Sequence, residues 1–488
     1  MHIVFLNPQG NFDQNDSYWT MHPDFGGQLV YVKELAIEMA NLGHKIDIVT
    51  RKINDPHYPE FKNTYDSYKG VSGLRIIRIP CGNKLFMNKE LLWEHIYEWT
   101  ENIIKFYKQE NKMFDFMTSH YSDGGLAAVM IKAKTNIPFS FTGHSLGAQK
   151  FEKLGGNLKN YDELDIKYQF TKRLSAERIV MKYANIIFVS TSQEKEEQYN
   201  HKLYKLRTND FSSFNIVIAP PGANTKVFAP SNGSNISEKT TKKIIYTIKR
   251  DITKERKMFP FIVLASRLDP KKNHLGLVEA YAKNKEVNQR MNLLISLRGI
   301  ENAFNDYSNA SKEEIIILDE IMKIIKKNNL FGKVSFISIN SQTELAETYR
   351  FMSNQKSIFA LTSLYEPFGL APIEAMSTGL PVVVTKYGGP IDILKENNEE
   401  FGVLVDVFDI NDIGKGILKA INNYDYYLLQ GKKRVLSKYT WNTTAKIYLE
   451  SIKESFKNIR NEEIRIDAYF INPLENKISN LEIKKLLK

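Results

Sequence analysis

His2-Ile3-Val4-Phe5-Leu6 is an apolar run of strand length, and the residues after it decide the architecture. Leu29, Val32, Leu35, Ala36 and Met39 recur at helical spacing, Gly43 ends the repeat, and a second apolar run occupies 46–49. Strand, helix and strand in that order make a βαβ unit, the building block of parallel sheets covered on both faces. Further strand-like runs lie at Leu74–Ile79, 116–118, 138–142, 186–190 and 216–219, with helical stretches at 89–107 and 163–181. Near Phe228 the texture changes, and 229–258 reads as a polar, basic linker or insertion. A second alternating series then runs through 261–266, 293–297, 334–339, 358–362, 381–385 and Val403–Val405, with helices expected at 275–282, 315–325 and 343–351. The pattern predicts two doubly wound α/β domains, 1–228 and 229–440, with the tail 441–488 packing back on the first. Ligands of such sheets bind beyond the carboxyl ends of the strands, which here predicts a central cleft between facing domains.

Composition agrees with two large cores: 488 residues, 42% hydrophobic and 25% charged. Such a chain is not a disordered, collagenous or disulfide-scaffold protein. The single cysteine, Cys81, allows no internal disulfide, and neither a leader-type apolar segment nor a membrane span is expected, so the reading is a cytoplasmic protein. The net charge of +11 favours anionic partners. Its basic residues are mixed with acidic ones outside 239–257, and no basic stripe interleaved with aromatics marks a nucleic-acid site.

Four loops carry chemistry. Gly26-Gly27-Gln28 opens the first helix, where backbone N–H groups can approach a phosphate, although a plain turn fits the same residues. Gly143-His144-Ser145-Leu146-Gly147 matches the G-x-S-x-G nucleophile elbow of serine hydrolases. Only His201 and His274 lie downstream as possible bases, both in unsuitable contexts, so the turn more simply presents His144 and Ser145 to a ligand. Arg267 and Lys272 lie on a strand-to-helix loop and can converge on one anion, or merely decorate a solvated surface. Glu366-Pro367-Phe368-Gly369-Leu370-Ala371-Pro372-Ile373-Glu374 places one carboxylate on a loop and another in the first turn of the next helix. The N–H groups of Leu370 and Ala371 are then free for a diphosphate. A glycosidase acid–nucleophile pair is the competing reading of the two acids.

Glu366 to Glu374 has the E-x7-E form of retaining glycosyltransferases of the two-domain GT-B fold. Asn7-Pro8-Gln9-Gly10, Pro23-Asp24-Phe25-Gly26-Gly27-Gln28, Thr142 to Lys150, Pro220-Pro221-Gly222, Ser266-Arg267-Leu268-Asp269 and Asn273-His274 more closely resemble bacterial-type sucrose-phosphate synthases. The likeness runs from about residue 2 to about residue 450. It implies transfer of glucose from UDP-glucose, a co-substrate, to fructose 6-phosphate, with retained configuration. It also implies no tightly bound cofactor and no metal-binding residue, with stimulation by Mg2+ left open. Glu366, His144, Arg267 and Lys272 are implied as catalytic. Gly27, Arg267, Lys272, Arg298, Phe368, Gly369, Leu370, Ala371 and Glu374 are implied for the nucleotide sugar. Gly26, Gln28, Lys89, Tyr121, Ser145, Lys150 and Arg173 are implied for the acceptor. The partners so implied are small molecules, with neither nucleic acid nor membrane, and oligomeric state is not specified. Mannosylfructose-phosphate synthases share these motifs, so donor sugar and UDP against ADP stay open; sucrose synthases share the fold, and the basic residues implied for the acceptor separate the phosphate-using enzymes from them. A serine hydrolase and a nucleic-acid-binding protein are the more distant alternatives.

Overall fold

The structure is a computed structural model that describes residues 1–18, 25–205, 214–233, 235–458 and 463–488. Pro23, Asp24 and Ser234, which belong to the motifs and linker of the sequence, lie outside the described residues. The chain forms two compact units, Met1–Pro220 with Thr444–Lys488, and Pro221–Thr443.

The first unit is built on β1 (His2–Leu6), β2 (Lys45–Arg51), β3 (Tyr65–Asp66), β4 (Leu74–Ile79), β5 (Phe116–His120), β6 (Phe139–Thr142), β7 (Ile186–Val189) and β8 (Ile216–Ile218). Their order is β3-β4-β2-β1-β5-β6-β7-β8, parallel except for the β3–β4 pair. Phe5 registers with Ile48 on one side and Thr118 on the other. The chain therefore reverses direction of travel across the sheet between β1 and β5, the position where open α/β sheets leave a crevice. β1 and β5 are buried throughout, as strands covered on both faces must be. Gly124 lets the helix Tyr121–Thr135 lie against the end of β1, because a Cβ there would sit 2.5 Å from the Leu6 carbonyl oxygen. Tyr448, from the chain's return into this unit, stacks on Phe188 at 3.5 Å and hydrogen-bonds Tyr31 (2.9 Å) and Thr142 (2.8 Å).

The second unit holds β9 (Phe261–Ala265), β10 (Asn292–Leu297), β11 (Val334–Ser338), β12 (Ile358–Leu361), β13 (Val382–Thr385), a small hairpin of β14 (Lys395–Glu396) and β15 (Glu399–Glu400), and β16 (Val403–Val405). The main sheet is all parallel in the order β11-β10-β9-β12-β13-β16. Its reversal lies between β9 and β12.

Three expectations need correction. The segment 229–258 is not a linker: Ser237 caps the helix Glu238–Asp251, whose Ile244 and Ile248 are buried in the second core. Asp251 accepts from the Ser335 hydroxyl (2.8 Å) and the Phe336 N–H (3.2 Å), while Arg250 and Arg256 donate to backbone carbonyls. Two arginines of the basic cluster are thus architectural, while Lys239, Lys242, Lys249 and Lys254 are exposed. The second unit also starts earlier than residue 229, since Ala223 and Phe228 are buried in its core. Finally, 163–181 is two helices, Tyr161–Tyr168 and Phe170–Tyr183, broken at Gln169 (φ 54°). The Asp165 carboxylate accepts from the N–H and hydroxyl of Thr171, both at 2.6 Å, which closes the break without glycine or proline.

Candidate active site

In the second unit the loops after β9 and β12 meet at the sheet's reversal. Asp269 caps the turn Pro270–Lys272, and Asn273, at φ 52°, turns the chain into the helix His274–Lys283. The Leu364 N–H donates to the Lys271 carbonyl (2.8 Å), and the Thr362 hydroxyl to that of Asn273 (3.1 Å). Lys272 Nζ then lies 2.7 Å from Glu366 Oε2, which also accepts from the Ser363 hydroxyl at 3.1 Å. The Glu366 backbone is fixed too: its N–H donates to Tyr387 and its carbonyl accepts from Gly389 (3.1 and 3.0 Å). Gly388 is required here, at φ 105° and with its Cβ position 2.1 Å from the Glu366 carbonyl oxygen.

Gly369, at φ 116°, starts the helix Leu370–Thr378, whose first internal bond runs from the Ile373 N–H to the Gly369 carbonyl at 3.4 Å. The N–H groups of Leu370 and Ala371 stay outside that ladder, at the positive end of the helix dipole. Glu374 begins the second turn rather than sitting in the first, and is half-buried. Arg267 is exposed, on the loop that holds Lys272. Phe368 is buried against Tyr439 (6.0 Å between rings). Arg298, exposed, follows β10, one strand beyond β9.

In the first unit the corresponding reversal gathers another set. Gly26 caps the helix Gly27–Asn41; Gly27 is exposed with open space at its Cβ position, and Gln28 is buried. His144, at φ 55° on the turn after β6, is half-buried against the rings of Tyr31 (5.0 Å) and Tyr121 (5.5 Å). His120, at the end of β5, was not anticipated: its Nδ1 is 2.8 Å from His144 Nε2 and its Nε2 is 3.2 Å from the Thr118 hydroxyl. Burial pushes His144 down to about 3, and burial with His144 alongside holds His120 well below the ordinary imidazole range. Both rings are therefore neutral near pH 7.

Arg173 donates to Glu177 (3.0 Å) and to the Ser145 carbonyl, and Glu177 accepts the Gly147 N–H at 3.0 Å. Burial opposes the guanidinium's charge but Glu177 outweighs it, so Arg173 is raised and stays cationic. Lys150 lies 4.4 Å over the Tyr168 ring. Lys89 lines a small open cavity with Gln9, Arg51 and Phe86. Glu177 was also missed, although its spacing from Arg173, one helical turn, is a readable signal.

The hydrolase reading fails on geometry. The left-handed residue of the turn is His144, not Ser145. His144 is bonded to His120, His201 to Glu152 (2.8 Å) and His274 to Ser266 (3.2 Å), so among the described residues no histidine serves Ser145 as base. Among the described residues no three histidine, cysteine or carboxylate side chains group to hold a metal ion, and Glu366 is occupied by Lys272 and Ser363. Among the described residues there is thus no all-protein cage for Mg2+. No helix among the described residues is long and apolar enough to cross a membrane.

Comparison with known proteins agrees with this layout. Residues 1–248 match the model of the sucrose synthase first GT-B domain, and residues 246–439 match glycosyl transferases group 1. A probable sucrose-phosphate synthase of Thermosipho melanesiensis is 43% identical over 455 residues, covering 93% of this chain and 97% of that protein. The sucrose-phosphate synthase of Zea mays is 28% identical over 93% of this chain, which spans 47% of that longer protein. The solved structure of a sucrose-phosphate synthase from Thermosynechococcus elongatus superposes with a TM-score of 0.67 at 22% identity, covering 94% of this chain and 99% of that one, a likeness of fold. Two parallel α/β sheets, the glycosyltransferase models and this near full-length similarity place the chain in the sucrose-phosphate synthase family of GT-B glycosyltransferases.

Proposed function

We propose that the chain transfers glucose from UDP-glucose to the anomeric hydroxyl of fructose 6-phosphate, releasing sucrose 6-phosphate and UDP with retained configuration. The observation that carries this reading is the Lys272–Glu366 pair, 2.7 Å apart beside a helix start with unused N–H groups. A departing diphosphate needs positive charge placed in advance; Arg267, Lys272 and the N–H groups of Leu370 and Ala371 supply it. Glu366 orients the glucose hydroxyls, and Glu374 the ribose. Gly27, with no side chain and open space at its Cβ position, leaves its own helix start accessible to a phosphate. The glucose C1–O bond to the diphosphate breaks, and a C1–O bond to the acceptor hydroxyl forms on the same face. The hydroxyl proton passes to a diphosphate oxygen, and the role assigned to His144 is to offer its backbone carbonyl to developing positive charge. No enzymic nucleophile is needed, in keeping with a Ser145 that no histidine serves among the described residues.

Lys89, Lys150 and Arg173 take the acceptor's 6-phosphate, with Gly26, Gln28, Tyr121 and Ser145 around the fructose. Transfer to free fructose is the second reading, favoured by the sucrose synthase description of the model matching 1–248. Initial rates with UDP-, ADP- and GDP-sugars against fructose, fructose 6-phosphate and glucose 6-phosphate test both. UDP-glucose with fructose 6-phosphate is expected to be fastest; fructose serving equally well contradicts the proposal.

A further inference from the structure

We infer that the segment 463–488 is a positioning element for the acceptor phosphate, clamping together the three parts of the first unit that carry Lys89, Lys150 and Arg173. The inference rests on the acceptor assignment made under the proposed function.

The segment is mostly irregular, yet it is pinned at several points. The Arg465 N–H donates to the Tyr183 hydroxyl (3.0 Å), at the end of the helix that carries Arg173. Asp467 caps the turn Ala468–Ile471, which drives Tyr469 and Phe470 into the core at 5% and 1% exposure. Phe470 meets Trp93 (6.2 Å between rings), on the short helix Lys89–His95. Lys172 lies 5.1 Å over the Tyr469 ring and 3.7 Å from Glu94, joining the Arg173 helix to the Lys89 helix. Farther on, Glu482 pairs with Arg178 (3.6 Å) and Lys484 with Asp162 (2.7 Å). Lys484 also lies over the Tyr161 ring (5.7 Å), and Tyr161 packs on Phe151, the neighbour of Lys150.

Arg173 and Lys89 thus stand on elements that this segment contacts directly, and Lys150 on a helix that it reaches through Tyr161. Lysine and arginine are long, and their convergence on one dianion depends on the spacing of the backbones beneath them. A segment that served only as a hydrophobic cover would affect both substrates through general loosening. A clamp on these three elements acts on the sugar phosphate selectively.

Full-length Phe470→Ala and the gentler Lys172→Met, which leaves the core intact, test this by initial-rate kinetics alongside wild type. The expected result is a KM for fructose 6-phosphate raised about tenfold in Phe470→Ala and a few-fold in Lys172→Met, with KM for UDP-glucose nearly constant. The preference for fructose 6-phosphate over fructose should fall in step. If Phe470→Ala does not fold, Lys172→Met decides. Folded variants with wild-type constants, or with both KM values raised equally, overturn the clamp while leaving the function intact. A wild type that does not use fructose 6-phosphate overturns both, and is recognised before any variant is made.

Discussion

His120 Nδ1 lies 2.8 Å from His144 Nε2, and the two rings, their centroids 5.1 Å apart, are both kept neutral inside the first unit. His144 occupies a left-handed turn, so its carbonyl direction depends on what anchors the side chain. His120 is that anchor. Replacing it with Ala should lower kcat about tenfold to a hundredfold while UDP affinity stays near wild type. His120→Asn, which keeps a hydrogen-bonding group, should recover part of the loss. Equal kcat in His120→Ala and wild type would contradict the anchoring role.

Glu366 and Lys272 should separate in their effects. Glu366→Gln keeps size but loses the charge facing Lys272, and should reduce kcat by about 10²–10³ with little change in UDP binding. Lys272→Met should reduce both, because it also removes a diphosphate contact. Calorimetric titration with UDP beside steady-state rates distinguishes the two patterns; identical losses of UDP affinity would count against separate roles.

Arg173 is fixed by Glu177 and by the Ser145 carbonyl. Arg173→Lys keeps the charge but cannot hold both partners, so KM for fructose 6-phosphate should rise about tenfold. Glu177→Gln should produce a smaller shift in the same direction, since it leaves Arg173 charged but less firmly placed. A larger rise in KM for UDP-glucose than for the acceptor would relocate Arg173's function.

Buried histidines give stability a direction in pH. Burial holds His274 at about 4, its Nδ1 unpartnered among the described residues. Its folded-state value lies below the unfolded value of about 6.5, so the unfolded chain takes up the proton first. Stability from His274 is complete above about pH 6.5 and lost as pH falls toward 4. His274→Asn should therefore lose less in melting temperature between pH 7 and pH 5 than wild type does. Parallel declines would show that His274 does not titrate in this way.

The strands were readable because sheet strands covered on both faces must be apolar throughout, as in His2–Leu6 and Phe261–Ala265. The helix Glu238–Asp251 was not readable: its buried Ile244 and Ile248 stand among lysines and threonines, and polarity concealed the period. Nor was the break at Gln169, which a side chain rather than glycine or proline creates. In the candidate site, the loop from Glu366 to Glu374 stood out because acids, glycine and prolines coincide. His120 did not, since a histidine ending a strand has no local signature and gains its meaning from His144, a residue on another loop.

The most direct test of the central claim is a crystal structure of the enzyme with UDP bound. The account predicts diphosphate oxygens within hydrogen-bond reach of Lys272 Nζ and the Leu370 and Ala371 N–H groups, with the ribose at Glu374. A nucleotide lodged away from the loops after β9 and β12 would contradict it.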